Sequence, residues 1–223
     1  MAKEILVDGI CHKIRMDIIG GVLPQGEKIR IKDLTARYAV SETPIKQALN
    51  RLATEHLIES NPRRGMWVKS ISPLDVEQTF DLRLMLDLYY MSEIIETVNC
   101  SRDLQNEMTS IIERHNRIVS NKMKAEDFLD NYKYDFAFHE LYLKCSGNAK
   151  IVDLFTSLNP LLYSSFIYQK QSREREIEGA KEHERIFNAI LAKDIETLRA
   201  AITDHLENSK RSISLILRVD SLL

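Results

Sequence analysis

The stretch VSETPIKQALNRLATEHLI, Val40–Ile58, decides how the front of this 223-residue chain folds. Ser41 stands where a helix N-cap is expected, and Pro44 falls in the first turn, where its missing N–H is not needed. Ile45, Ala48, Leu49, Leu52 and Ala53 then recur at helical spacing and make one face apolar. The other stripe, Thr43, Lys46, Gln47, Asn50 and Arg51, is polar and cationic, short, and free of carboxylates. Amides pair with adenine and cations with guanine or phosphate, so this is side-chain chemistry that reads base edges.

Upstream, Ile5, Ile10, Ile14, Ile18 and Ile19 mark a first helix closed by Gly20 and Gly21. A strand-like piece from Glu27 to Ile31 leads to a second helix over 32–39. Downstream, Leu57–Ser60 and Met66–Lys69 read as two strands joined by Asn61-Pro62-Arg63-Arg64-Gly65, a hairpin with two arginines at its tip. Three helices and a basic hairpin in about 70 residues form the layout of a winged helix-turn-helix. The plainer alternative is a small packing domain whose charges are merely solvated.

Residues 31–69 resemble the GntR family of bacterial transcription regulators. The resemblance rests on L-T-A-R-Y-A-V-S-E-T-P-I-K-Q-A-L-N-R-L, Leu34 to Leu52, and on R-R-G-M-W-V in the wing. It implies that Arg37, Thr43, Lys46, Gln47, Asn50 and Arg51 face the major groove or its phosphates, and that Arg63, Arg64 and Gly65 belong at the wing tip near the minor groove. The chain departs at Glu42, Lys46 and Gln47, where the family usually carries arginine and an arginine-glutamate pair. That departure bears on which operator is bound, not on whether DNA is bound.

Ser70-Ile71-Ser72-Pro73 is the one obvious boundary, giving expected domains 1–71 and 72–223. Charge divides there too. Residues 1–72 hold 12 Lys and Arg against 8 Asp and Glu, and the remainder holds 19 against 25. A basic front suits a polyanion. Cys11, Cys100 and Cys145 are odd in number and never in a CxxC spacing, which argues against a disulfide framework or thiolate metal site. The N-terminus reads as an amphipathic helix and no long apolar run is present, so a cytoplasmic protein is expected.

From Leu74 onward Gly and Pro are scarce and the spacing is helical throughout. Six helices are expected, over 74–98, 101–121, 125–145, 148–169, 173–192 and 194–217, packed as an antiparallel all-α bundle. In DFLDNYKYDFAFHELYLKCSGN, Asp127–Asn148, an acid and an imidazole stand four residues apart at Asp135 and His139, and so on one helix face. Alone, that pair is either a metal or acid/base site or a core contact satisfying itself. Two later helices each carry one inward histidine, His183 with Ala180, Phe187 and Ile190, and His205 with Leu198 and Ile202. Three buried imidazoles with one acid and no sulfur are a ligand set for a borderline divalent cation. His12, His56 and His115 have no such company.

These helices are similar to the FCD effector domain of FadR-type GntR regulators, through D-F-A-F-H-E-L-Y-L-K-C-S-G-N and E-H-E-R-I-F-N-A-I-L. The resemblance implies a metal, zinc or nickel, on Asp135, His139, His183 and His205, and a small carboxylate effector held at it. Arg83, in R-L-M-L-D, would clamp that carboxylate or else form an ordinary pair with Asp87.

Two readings follow. In the first, the chain is no enzyme but a homodimeric regulator, expected to be a repressor, which binds a pseudo-palindromic operator and answers to a small organic acid. In the second, the bundle is a metal-dependent hydrolase or oxygenase, for which no separate general base is evident.

Overall fold

Val7, Ile10, Cys11, Ile14, Ile18 and Ile19 form the buried face of α1 (Ala2–Ile19), the scaffold of the first unit. Ile5, expected on that stripe, is exposed, and Val7 takes the inward position instead. The computed structural model describes residues 2–121, 127–158 and 170–220. It divides into two units, Met1–Ile71 and Ser72–Leu223, each with its own core.

In the first unit α2 (Ile31–Tyr38) ends at Ala39, whose left-handed backbone (φ 54°) turns the chain into α3 (Glu42–Thr54). Ser41 occupies the N-cap position of α3, but its side chain makes no capping hydrogen bond. The helix is held by packing: Ile45, Ala48, Leu49 and Leu52 are fully buried. Each of the three larger side chains contributes about 1.5–3 kcal/mol by leaving water. Strands β2 (Ile58–Asn61) and β3 (Gly65–Val68) form the expected hairpin. A third strand, β1 (Lys28–Ile29), pairs with β3 through Lys28↔Trp67 and Ile29↔Met66, so the sheet order is β1-β3-β2. The hairpin turn needs positive φ at Arg63 (67°) and Gly65 (117°), and the second suits only glycine.

The second unit opens with α4 (Pro73–Tyr89), whose Ser72 and Asp75 form a reciprocal capping box. One continuous helix was expected over 74–98, but the chain breaks at Tyr90 (φ −107°, ψ 24°) and resumes as α5 (Met91–Cys100). The Tyr142 hydroxyl donates to the Asp87 carbonyl at 2.7 Å, the carbonyl that would otherwise accept from the Met91 N–H. Then follow α6 (Arg102–Ser120), α7 (Asp127–Lys144), α8 (Ala149–Ser157), α9 (Arg173–Leu191) and α10 (Ile195–Asp220). The second half of the helix expected over 148–169 lies outside the described residues. Helix α10 packs along α4 and α9, and α6 lies between α7 and α9. Inward side chains of α4, α6, α7, α9 and α10 therefore converge. None of the described helices is long and apolar enough to cross a membrane.

Candidate metal centre and nucleic-acid interface

One turn of α7 separates Asp135 from His139, and the facing stripes of α9 and α10 bring His183 and His205 to the same point. One ligand atom from each of the four lies within 4.8 Å of all the others. His139 Nε2 stands 3.0 Å from His205 Nε2 and 3.3 Å from His183 Nε2, and Asp135 Oδ1 is 3.5 Å from His183 Nε2. The three imidazoles are buried; Asp135 retains 32% side-chain exposure.

The carboxylates behind the ring determine what those nitrogens can do. His205 Nδ1 donates to Glu182 Oε2 at 2.8 Å, and Asp87 Oδ2 lies 3.4 Å from His139 Nδ1. A proton held at Nδ1 leaves a lone pair at Nε2. Two imidazoles fixed this way point lone pairs at each other across 3.0 Å, which is repulsive unless a positive centre lies between them. Ligands on a divalent ion with bonds near ~2.1 Å sit about 3.0–3.4 Å apart, so the observed nitrogen spacing fits such an ion. The donor set, three imidazole nitrogens and one carboxylate, fits it as well.

Glu182 is central to this second layer. It is 1% exposed and binds Arg175 through both oxygens (2.8 and 2.7 Å), with Asn208 adding a third donor at 2.9 Å. Burial would raise its carboxyl, but the hydrogen bonds from His205 and Arg175 outweigh burial and pull it down to about 2. His183 is driven well below the ordinary imidazole range by burial and by the neighbouring His205 and His139. Burial also lowers His205, against the pull of Glu182.

Beside the cluster lies a cavity of about 90 Å³, lined by Arg83, His115, Asn131, Asp135, Glu176 and Ser209 among others. That is room for roughly six to nine waters, hence for an acid of a few carbons. Arg83 lies on its wall, 5% exposed, with its guanidinium over the rings of Phe80 and Phe155 (5.3 and 5.5 Å). The Arg83–Asp87 surface pair weighed above does not form: both are buried, Arg83 Nε and Nη2 have no hydrogen-bond partner, and Asp87 turns toward His139.

Sequence reasoning missed Glu182, Asp87 as a histidine's partner, and His115. Far from lacking company, His115 is 4% exposed, 5.3 Å from the His183 ring, and bonded through Nε2 to Asn131 Oδ1 at 2.8 Å. A signal existed, since it shares the stripe Met108, Ile112, Val119 on α6.

In the first unit Thr43, Lys46, Gln47 and Asn50 are exposed along α3. Lys46, Asn50, Arg63 and Gly65 line a concavity between α3 and the hairpin, and Arg64 is exposed in the hairpin turn. Lys46 is paired with Glu42 at 2.7 Å. Arg37 is held by Asp17 of α1 at 2.6 Å, with the Tyr38 hydroxyl on the same oxygen, and Arg51 is paired with Asp8. The two arginines are exposed but already partnered, a difference that spacing along α2 and α3 did not reveal.

Residues 6–68 match the family described as bacterial regulatory proteins, gntR family, and residues 78–208 match the FCD domain. The chain is 24% identical over 191 residues to the gluconate operon transcriptional repressor of Bacillus subtilis, covering 83% of this chain and 75% of that protein. It is 24% identical over 212 residues to the transcriptional repressor RspR of Escherichia coli, covering 93% and 89%. Among solved structures it is similar to E. coli McbR/YncC, with a TM-score of 0.67 at 16% identity, covering 96% and 97%.

Proposed function

The chain belongs to the GntR family of bacterial transcription regulators, in the FadR-type branch that carries an FCD effector-binding domain, and from that premise we propose a metal-dependent sensor of a small organic acid. The family is one of regulators and not of enzymes, which removes the hydrolase or oxygenase alternative.

The observation that carries the proposal is the 3.0 Å approach of His139 Nε2 to His205 Nε2 with a carboxylate behind each ring, beside a cavity that Arg83 enters unpaired. Asp135, His139, His183 and His205 would hold one divalent cation, zinc or nickel. When bound, the cation supplies a positive centre with room for a carboxylate oxygen. Arg83 orients the same ligand by a charge-assisted contact. Asp87 and Glu182 keep the ring protons of His139 and His205 at Nδ1, and burial favours the neutral, ligating form of His183 and His205.

In the first unit the stripe Thr43, Lys46, Gln47, Asn50 enters the major groove of an operator, and Arg63 and Arg64 approach the minor groove. Arg37 and Arg51 serve phosphates. Repression is the expected sense, since two of the relatives bear that name. A homodimer on a pseudo-palindromic site follows the family habit. The surface offered to a second copy is the outer stripe of α4, where Leu74, Leu82, Met85 and Tyr89 are all exposed on one side of the helix.

The test is selection of duplexes from a random library by the zinc-loaded chain. An enriched two-fold-symmetric sequence is expected, with affinity falling steeply as salt rises. A library without enrichment, bound with no salt slope, would sink the regulator assignment for this chain.

A further inference from the structure

Of the cations on the cavity wall, Arg175 is already neutralised. Its guanidinium binds both oxygens of Glu182 and the Ser209 hydroxyl (3.0 Å). That leaves Arg83 as the unpaired cation among the described lining residues. One guanidinium suits one carboxylate. Elsewhere on the wall stands a carboxylate that takes no part in the metal cluster, Glu176.

Glu176 is fixed by Asn131, whose Nδ2 donates to Oε2 at 2.6 Å; among the described residues Oε1 receives no hydrogen bond. The same bond fixes the Asn131 amide, so its Oδ1 must be the atom 2.8 Å from His115 Nε2. His115 then carries its proton on Nε2 and leaves Nδ1, buried and unpartnered, as an acceptor. Two residues lining this side of the cavity therefore have acceptor capacity that no described donor fills, Glu176 at Oε1 and His115 at its buried Nδ1. Ser209 Oγ, which accepts from Arg175, keeps a hydroxyl hydrogen to give.

A second carboxylate on the ligand would meet Glu176 as a like charge, and burial already raises the Glu176 carboxyl against the hydrogen bond from Asn131. An unsubstituted alkyl chain would leave the acceptors bare. An ammonium could donate, but it would share the small space with the Arg83 guanidinium and the cation. A hydroxyl both donates and accepts, and it adds no charge.

We infer that the effector is a hydroxylated monocarboxylate: its carboxylate goes to Arg83 and the metal, and its hydroxyls are read by Glu176 with the Asn131–His115 pair beside it. This rests on the proposed effector pocket and adds the class of ligand and a specificity residue, Glu176. A site built to hydrogen-bond a hydroxyl discriminates strongly against an analogue that lacks it, because its own polar groups are left unpaired.

The experiment is calorimetric titration of the full-length zinc-loaded protein with four acids of equal carbon number: butyrate, succinate, 4-aminobutyrate and 2,3,4-trihydroxybutyrate. The trihydroxy acid is expected to bind about tenfold or more tightly than any of the other three. In Glu176→Leu that preference should collapse while butyrate affinity holds, and Glu176→Gln, which retains an acceptor, should recover part of it. Tightest binding of succinate or 4-aminobutyrate, or an undiminished hydroxyl preference in Glu176→Leu, overturns the inference. The wild-type ranking stands as a test even if the leucine variant fails to fold. Arg83→Ala distinguishes a wrong ligand class from a wrong pocket. If it weakens all the acids and no hydroxyl preference exists, only the ligand class fails. If none of the four binds, or Arg83→Ala changes nothing, the effector pocket itself fails.

Discussion

Glu182 Oε2 accepts a 2.8 Å hydrogen bond from His205 Nδ1, although the two side chains come from different helices and both are almost wholly buried. The bond selects the tautomer that turns the His205 Nε2 lone pair toward His139 and His183. The proposed ligand set is thus shaped by a residue outside it.

Weakening that bond should loosen the metal. Glu182→Gln removes the charge that fixes the His205 proton, and a fall in zinc affinity of about 10–100-fold is expected. Competition against a chromophoric chelator measures it. Unchanged affinity would show that Glu182 serves only Arg175 and the fold.

Deleting two ligands at once should abolish occupancy. In the double variant His183→Ala, His205→Ala, elemental analysis is expected to find no stoichiometric divalent metal, against one ion per chain in the parent. Full occupancy in the double variant would refute the four-ligand assignment.

Acid should destabilise the metal-free protein. Burial lowers His115, His183 and His205 below the ordinary imidazole value of 6.5. In the unfolded chain these groups take up protons near pH 6.5 that the folded state refuses, so their cost is absent above that pH and grows below it. Each imidazole contributes a slope of up to ~1.4 kcal/mol per pH unit. Thermal melts of chelator-treated protein should therefore show the midpoint falling between about pH 7 and pH 5.5. A flat profile would mean that the imidazoles are protonated in the fold.

On DNA, the partners of the cations should set the ranking of variants. Lys46→Ala is expected to weaken binding and to lower the salt slope by about one. Asp8→Asn frees Arg51 and Asp17→Asn frees Arg37, so both substitutions should tighten binding. Fluorescence anisotropy on a selected duplex across a salt series reads all three. Weaker binding in both asparagine variants, with folding intact, would show that α1 positions the arginines instead of competing for them.

Much of this architecture could be read from spacing alone, because periodicity reports which face of a helix is inward. It located the polar stripe of α3 and the inward histidines of α7, α9 and α10. What it could not report is which groups meet across the bundle. Glu182 adjoins His183 in sequence, yet its role depends on His205 and Arg175, which approach from a different helix and from seven residues earlier. His115 sat on a visible apolar stripe, but only the packing of α6 against α7 and α9 gives it Asn131 and His183 as neighbours. The break at Tyr90 has no glycine or proline to announce it; a tyrosine hydroxyl 55 residues away takes the carbonyl that would have continued the helix. Ser41 takes the N-cap position without forming a capping hydrogen bond, and the buried face of α3 holds the helix.

Arg175 stands on the cavity wall and holds Glu182 by two bonds, and Glu182 holds His205. A molecule bound in the cavity and an ion bound on the histidines would therefore be joined through three side chains, and free-energy coupling of this kind runs equally in both directions. Whatever the acid gains from the ion, the ion gains from the acid. With both sites filled, a regulator wired this way would answer to a product of two concentrations: a cell short of metal would read a metabolite-rich state as a poor one.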